Sequence, residues 1–136
     1  MSSDGFGNYE VEIMPFAERH YIKSFRKKYK KGWEITQAAL QQETSRIDNV
    51  LSKTDRAETI QCNDGLLLVK MNFRVAGTTE SAKRSGNRAI IFVNSSIGQC
   101  KILLVYSKND ICQPNETQKW QNIIKENYPE IWKLFC

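Results

Sequence analysis

The fold depends first on residues 66–75, which read Leu66-Leu-Leu-Val-Lys-Met-Asn-Phe-Arg-Val75. The stretch is rich in residues that favour strands, and alternate side chains of a strand face opposite ways. One predicted face is apolar throughout and consists of Leu67, Val69, Met71, Phe73 and Val75. The opposite face carries Lys70, Asn72 and Arg74, with Leu66 and Leu68 near its start. The pattern therefore predicts a strand that lies with its apolar face on a hydrophobic core.

Two more strands are predicted downstream, at Arg88–Asn94 and Lys101–Ser107, because both segments are rich in aliphatic residues. Asn94-Ser-Ser-Ile-Gly98 lies between them and has the residue types of a tight turn, which predicts an antiparallel hairpin. The connection from the first strand, Ala76–Asn87, is long, polar and contains glycine. A loop of this length in a small domain is typical of a mobile or functional segment.

A short strand and two helices are predicted upstream of residue 66. Tyr9–Met14 alternates between polar and apolar residues, which predicts the strand. Ala17–Lys31 and Trp33–Leu51 carry apolar residues at helical spacing, and Gly32 is predicted to end the first helix. Together they predict a helical hairpin. Ser52–Gly65 is polar and has no period, so it is predicted to be a loop.

A last helix is predicted near the carboxyl terminus. Asn115 is a typical N-cap residue, and Gln118 completes a capping-box pattern. An apolar stripe follows, made of Trp120, Ile123, Ile124 and Ile131, and Pro129 is expected to break or restart the helix. The order of elements predicts an α+β fold in one domain, residues 1–136. A small antiparallel sheet would pack against an N-terminal helical hairpin, with a C-terminal helix.

Composition narrows the class of protein and leaves the partner open. Hydrophobic residues make up 40% and charged residues 26% of the 136 residues, which is typical of an ordinary globular protein. Lys and Arg number 20 against 15 Asp and Glu, for a net charge of +5 and a pI near 9.1. Such a balance favours an anionic partner, and both nucleic acid and an acidic protein satisfy it.

The cysteines and the single histidine argue against a metal or cofactor site. Cys62, Cys100, Cys112 and Cys136 form no CxxC pair, and His20 is the sole histidine. Met1–Tyr9 is polar, which predicts no secretory signal, and no apolar run approaches the roughly 20 residues that span a bilayer. These features predict a cytoplasmic protein with free thiols, no membrane contact, no metal and no cofactor.

Basic residues gather around the predicted strands. Lys70 and Arg74 share a face of the first strand, Arg88 opens the second, and Lys108 follows the third. Lys83 and Arg84 lie on the long loop between the first two strands. Any one of these residues is more often simply solvated, but a twisted sheet that gathers them would form a concave basic surface. Arg88 is the least ordinary, because an arginine at the entrance of so apolar a strand needs a partner.

Three blocks of the sequence, in order, resemble the core of the RelE/ParE superfamily, particularly its HigB-like branch. The blocks are Asn72-Phe-Arg-Val-Ala76, Ala82-Lys-Arg-Ser-Gly-Asn-Arg-Ala-Ile-Ile-Phe92 and Leu103-Leu-Val-Tyr-Ser-Lys-Asn-Asp110. In that branch a strand ends in Lys-x-Arg-x-Ala, a Gly-Lys-Ser/Arg-Gly-Gly-x-Arg-Val-Ile-Tyr-Tyr motif follows, and the last strand reads Leu-Leu-x-x-Tyr-x-Lys-x-Asp/Glu. Here Asn72 stands where relatives often carry lysine, and Ala82, Ser85 and Asn87 also depart from the motif.

The resemblance implies the toxin of a toxin–antitoxin pair, a cytoplasmic endoribonuclease that cuts mRNA without a metal and so inhibits translation. Nuclease members often act on the ribosome, and an acidic antitoxin normally neutralises them. By this resemblance Arg88 and Arg74 would stabilise the charge on the phosphate, and Lys70 or Lys108 would transfer a proton. Lys83 and Arg84 would bind the RNA backbone.

Two other functions remain open at this point. The reduced set of cations also fits a ParE-like toxin that acts on DNA gyrase and cleaves no RNA. A basic module that only binds an acidic antitoxin is the third hypothesis. The antitoxin would be received by the basic helix Ile22–Lys31 and by the apolar C-terminal stripe.

Overall fold

The computed structural model describes residues 8–135 as a five-stranded sheet with helices packed on both faces. The strands are β1 (Glu10–Ile13), β2 (Ala57–Asn63), β3 (Leu66–Asn72), β4 (Arg88–Asn94) and β5 (Gln99–Tyr106). They lie in the order β1-β5-β4-β3-β2, which places β4 in the centre. All neighbouring pairs are antiparallel except β1 and β5, which pair in parallel. The predicted α+β class and the hairpin of β4 and β5 are confirmed.

The predicted helical hairpin is present, with more subdivisions than the sequence indicated. Its first arm runs through α1 (Pro15–Ala17), a π-helical turn (Glu18–Ile22) and α2 (Lys23–Tyr29). Its second arm is α3 (Lys31–Ser45) followed by α4 (Ile47–Lys53). These two helices are separated at Arg46, whose φ of −119° and ψ of 39° are not helical.

The prediction that Gly32 ends the first helix was wrong. The break falls at Lys30, whose φ is 52°, and Gly32 lies inside the first turn of α3. A Cβ at position 32 would lie 3.0 Å from the carbonyl oxygen of Ala76. The glycine is therefore explained by the close approach of the β3–β4 connection, rather than by a left-handed helix cap.

The prediction of a loop over Ser52–Gly65 was also wrong for nine residues, because Ser52 and Lys53 belong to α4 and β2 occupies Ala57–Asn63. This strand is at the edge of the sheet, and of its residues only Ala57 is buried. Edge strands are commonly polar, and this one is further interrupted by a bulge between Thr59 and Gln61. Its alternation of apolar and polar residues is consequently too weak to be seen in the sequence.

Two hydrophobic clusters lie on the two faces of the sheet. The helical hairpin covers the face that carries Val69, Met71, Phe73 and Val75, each at most 4% exposed, which confirms the predicted core face. The opposite face carries Leu68, Ile90 and Phe92 and is covered by α6 (Glu116–Asn127). Leu68 is fully buried there, which accounts for a leucine on the predicted polar face.

The C-terminal helices use their apolar stripe inside the molecule. Trp120 and Ile124 are fully buried against the sheet and Ile123 and Ile131 are partly buried, so little of the predicted stripe is left to receive an antitoxin. The predicted capping box is also absent: the Asn115 side chain makes no cap bond, and the Gln118 amide donates to Asn122. The predicted restart is confirmed, since α7 (Pro129–Trp132) begins at the proline and leads into a 3-10 turn, Lys133–Phe135.

Candidate functional site: a basic corner of the sheet

The three sequence blocks, far apart in the chain, meet at one corner of the sheet. Asn72 at the end of β3 pairs with Arg88 at the start of β4, and Arg88 pairs with Tyr106 at the end of β5. Pairing continues past β3, where the Phe73 amide donates to the Asn87 carbonyl at 3.1 Å. We call this region the basic corner and define it by its cations, Lys70, Lys83, Arg84, Arg88 and Lys108.

The turn that leads into β4 is held by short polar contacts. It contains α5 (Ala82–Ser85), which the sequence did not predict within the long loop. The Ser81 hydroxyl caps this helix by accepting from the Arg84 amide at 3.2 Å. The buried Ser85 hydroxyl lies 2.8 Å from the Phe73 carbonyl and accepts from the Asn87 amide at 3.0 Å. The serine therefore ties α5 to the end of β3.

Gly86 has a left-handed backbone, with a φ of 77°. A Cβ at this position would lie 2.5 Å from the Cβ of Lys108, so no larger residue fits without a shift. This contact brings the segment after β5 directly against the α5 turn. The sequence blocks that contain Gly86 and Lys108 thus close the basic corner together.

The guanidinium of Arg88 is held on several sides. One terminal nitrogen, Nη1, donates to the carbonyls of Asn87 at 3.0 Å and Ala82 at 3.3 Å. The other, Nη2, donates to the Lys83 carbonyl at 3.0 Å. The Nε lies 3.7 Å from the Glu116 carboxylate, and the side chain is 12% exposed. Arg88 therefore braces the α5 turn and has a fixed orientation with respect to the sheet.

Glu116, the first residue of α6, faces Arg88 and was missed by the sequence analysis. Its Oε2 accepts from the Tyr106 hydroxyl at 2.6 Å, and its Oε1 accepts from the Gln113 amide at 3.3 Å. Burial raises the pKa of Tyr106 far above its usual range, and the hydrogen bond and charge of Glu116 add to this, partly opposed by Arg88. Tyr106 is thus a neutral hydrogen-bond donor. A carboxylate in the first helical turn is the sole sequence signal for Glu116.

Two of the three lysines of the basic corner, Lys70 and Lys108, also face carboxylates. Lys70 Nζ lies 3.8 Å from Glu58 on β2, with its side chain 18% exposed. Lys108 Nζ lies 3.8 Å from Glu80, and both of these side chains are more than half exposed. Lys83 and Arg84 are exposed on α5 and form no ion pair within residues 8–135. Lys70, Arg88 and Lys108 are thus partly neutralised by the protein itself, and Lys83 and Arg84 are not.

Arg74 lies outside this group, because it is two residues beyond the end of β3 at Asn72. Its exposed side chain lines a cleft of about 430 Å³ between α3 and the end of β3. The ion pair of Arg56 and Glu43 forms part of the same wall. The structure therefore brings Lys70, Arg88 and Lys108 to the corner together with the α5 cations, and it places Arg74 in the neighbouring cleft.

The remaining candidate groups lie elsewhere. Within residues 8–135 no three His, Cys, Asp or Glu side chains form a group that could hold a metal ion. His20 is exposed and its ring centroid lies 4.8 Å from that of Phe16. Cys62 and Cys112 are free and exposed, and Cys100 is free and buried. Cys136 and most of the polar segment Met1–Tyr9 fall outside the described residues.

No helix within residues 8–135 is both long enough and apolar enough to cross a bilayer.

Comparisons with known proteins give one structural similarity. No family model and no curated protein sequence matches the chain. Among solved structures, the chain is similar to one in the crystal structure of the archaeal RelE-RelB complex from Pyrococcus horikoshii OT3, with a TM-score of 0.49 and 15% sequence identity. The similarity covers 74% of this chain and 96% of the archaeal chain.

Proposed function

We propose that this protein is the toxin of a toxin–antitoxin pair of the RelE type, and that it cleaves mRNA at the basic corner and so inhibits translation. The observation that carries the proposal is the meeting of the three family-like blocks. Asn72, Arg88 and Tyr106 come from different blocks, and they are direct neighbours in the sheet. Blocks that define one site in a family are expected to converge in this way.

The chemistry is the cleavage of a phosphodiester by the adjacent ribose 2′-hydroxyl. The 2′-oxygen bonds to phosphorus as its proton leaves, the bond from phosphorus to the 5′-oxygen breaks, and the 5′-oxygen takes a proton. Negative charge grows on the phosphoryl oxygens in the transition state. A fixed arginine stabilises that charge without reorganising, and Arg88 is already held by backbone carbonyls.

Substrate must displace Glu116 from Arg88. The Glu116 carboxylate lies 3.7 Å from the guanidinium Nε, on the side left open by the backbone carbonyls. An RNA phosphate carries the same sign of charge and fits the same donors, including the neutral Tyr106 hydroxyl. Lys70 or Lys108 then transfers a proton, and Lys83 and Arg84 bind the flanking RNA backbone. Because these cations supply the charge, the proposed reaction uses neither a metal nor a cofactor.

The test is primer extension on cellular mRNA after brief induced expression of the natural protein, of Arg88→Ala and of Arg26→Ala. Arg26 is the matched control, since it is a helical arginine with one ion pair, to Glu18 at 2.6 Å. Discrete new 5′ ends are expected with the natural protein and with Arg26→Ala, and none with Arg88→Ala. Growth arrest without new ends, accompanied by DNA damage, would instead establish the gyrase hypothesis.

The proposed antitoxin is an acidic protein that binds the first arm of the helical hairpin. We call the cations of this arm and of the start of α3 the basic run; they are Arg26, Lys27, Lys28, Lys30 and Lys31. All five are exposed, and within residues 8–135 Arg26 alone among them forms an ion pair. Unpaired surface cations attract an acidic partner over long range. The partner is proposed to bind here and not on the C-terminal stripe, whose apolar side chains pack largely inside the molecule.

A second candidate is a non-enzymatic module that binds the antitoxin and cleaves no RNA. It is favoured by the carboxylates that face Lys70, Arg88 and Lys108. Glu116→Gln distinguishes the two, because the amide keeps a hydrogen-bond acceptor for Tyr106 and removes the negative charge. The nuclease hypothesis predicts RNA binding tighter by about threefold, since removal of a like charge typically gives less than about 1 kcal/mol. Unchanged RNA binding together with no growth arrest on expression establishes the binding module.

A further inference from the structure

The cleft beside the basic corner has the dimensions and lining of a ligand site. Its volume is about 430 Å³, within the range of about 300–1,000 Å³ that is usual for small-molecule pockets. Apolar surface comes from Ala39 and Leu40 on α3 and from Phe73 beyond β3. Polar groups come from Glu43, Arg56 and Arg74. Mixed walls of this kind fit a flat, partly polar ligand.

Two of the three charged side chains in the cleft form an ion pair with each other, and the third does not. Arg56 holds Glu43 by two parallel contacts, Nη1 to Oε1 at 3.0 Å and Nη2 to Oε2 at 2.9 Å. Both side chains are about one-third exposed, so the outer edges of this fixed pair face the cleft. Arg74 is exposed and forms no ion pair within residues 8–135. The cleft therefore has one unpaired positive charge beside a neutral hydrogen-bonding pair.

A single helical turn separates the cleft from the basic corner. Ala82 lines the cleft, and its carbonyl accepts from Arg88 Nη1 at 3.3 Å. Lys83 and Arg84, the exposed cations of α5, follow Ala82 directly. A chain of phosphates that crosses α5 would run from Arg88 over these cations toward the cleft. The cleft would then receive the nucleotide next to the one bound at Arg88.

We propose that the cleft binds one unstacked base of single-stranded RNA, adjacent to the cleaved bond, and so gives a preference for the base at that position. The proposal rests on the function proposed above. Proteins read single-stranded RNA by splaying bases onto aromatic or guanidinium groups and by hydrogen bonds to base edges. Arg74 supplies the guanidinium. The Glu43 carboxylate accepts from an amino group, as carboxylates do from cytosine.

Ala39→Trp tests the proposal by filling the cleft from an exposed position. Ala38→Trp is the matched control, since Ala38 is exposed on the same helix and does not line the cleft. Both are made in the natural protein, and fluorescence anisotropy follows a labelled single-stranded RNA hexamer of mixed sequence whose 2′-hydroxyls are methylated, so that it binds but is not cleaved. Ala39→Trp is expected to weaken binding about tenfold, the usual effect of losing one stacked base, and Ala38→Trp to leave it unchanged.

The outcomes separate this proposal from the nuclease hypothesis. If natural protein cleaves RNA but the two tryptophan variants bind it equally, the cleft proposal is overturned and the nuclease stands. If Ala39→Trp alone weakens binding but no protein cleaves, the base site stands and the nuclease fails. If an oligoglutamate peptide binds the cleft and the RNA hexamer does not, the site is one for an acidic peptide and the proposal is wrong. In cleaving protein, Ala39→Trp also removes the base preference beside the cut.

Discussion

Two regions of this molecule are strongly basic and differ in how their charges are held. In the basic run the cations are exposed on helices, and Arg26 alone has a carboxylate partner within residues 8–135. In the basic corner Lys70, Arg88 and Lys108 each face a carboxylate from another segment, and Arg88 also donates to three backbone carbonyls.

The difference indicates that exposed, unpaired cations and fixed, paired cations can have different functions. Exposed lysines on a helix are mobile, and their attraction to an anion acts at long range and is screened by salt. A guanidinium fixed by three carbonyls acts at one position, where it keeps its own orientation when a phosphate replaces Glu116. We therefore assign partner attraction to the basic run and chemistry to the basic corner.

The largest effect is expected from changing the shape of a cation and not its charge. Arg88→Lys keeps the charge and loses the planar fork that meets the carbonyls, so RNA cleavage should fall by about 100-fold. Arg26→Lys in the basic run is the control and should leave cleavage unchanged. Initial cleavage rates on one labelled RNA measure both. Equal activity of the two variants would show that the corner contributes charge alone.

Tyr106→Phe tests the corner through stability and pH. At pH 8 the variant should be about 2 kcal/mol less stable, because it loses a hydrogen bond to a carboxylate. The pKa of Tyr106 is raised above its ordinary value of 10.0, so this stabilisation is fully present below pH 10 and is lost as the pH rises above it. The difference in unfolding free energy between the natural protein and the variant should therefore become smaller above pH 10. Urea unfolding at several pH values measures this difference. A difference that does not change with pH would contradict the raised pKa of Tyr106.

Removing two charges of the basic run should affect RNA affinity and not the chemical step. Lys27→Gln with Lys28→Gln is expected to weaken RNA binding by up to about tenfold at low salt, through the lost long-range attraction alone, and to have no effect at high salt. The cleavage rate at saturating RNA should be unchanged. Binding titrations at several salt concentrations and a single-turnover rate measure the two effects. A fall in the saturated rate would place the basic run in the active site.

The smallest effect concerns the backbone inside the basic run. Lys30 joins α2 to α3 with a φ of 52° and a ψ of −115°, a conformation that glycine adopts readily and lysine does not. Lys30→Gly should stabilise the fold by about 1 kcal/mol, because the relief of backbone strain outweighs the greater conformational entropy that glycine gives the unfolded chain. Lys30→Ala loses the same charge and keeps the strain, so it should not stabilise. Thermal unfolding measures both variants, and equal melting temperatures would show that the backbone at Lys30 is not strained.

The sequence was sufficient to predict the fold where side chains alternate regularly along an element. Alternation along residues 66–75 identified the core face, because Val69, Met71, Phe73 and Val75 are all buried under the hairpin. It failed for β2, whose polar edge position gives no hydrophobic pattern, and at Gly32, where the reason for the glycine is the carbonyl of Ala76. Both depend on contacts between segments that are distant in the chain.

The candidate site was predictable to the same extent and for the same reason. Arg88, Lys83 and Arg84 lie in one short segment, so their proximity follows from the sequence. Glu116 belongs to a helix that packs back onto the sheet, and its contact with Arg88 depends on how α6 docks. Arg74 was expected beside Lys70, but the strand ends before it and the side chain lines the cleft. Contacts between side chains on different helices and strands can be identified only from the structure.

The most direct test of the central claim is the chemistry of the RNA ends. Purified protein is incubated with labelled RNA in excess EDTA, and mass spectrometry identifies the 3′ ends of the products. If the 2′-hydroxyl attacks at the basic corner, the natural protein should cleave RNA in EDTA. The products should end in a 2′,3′-cyclic phosphate or its hydrolysis product, and Arg88→Ala should give no cleavage. A 3′-hydroxyl end, cleavage that EDTA abolishes, or full activity of Arg88→Ala would contradict the account.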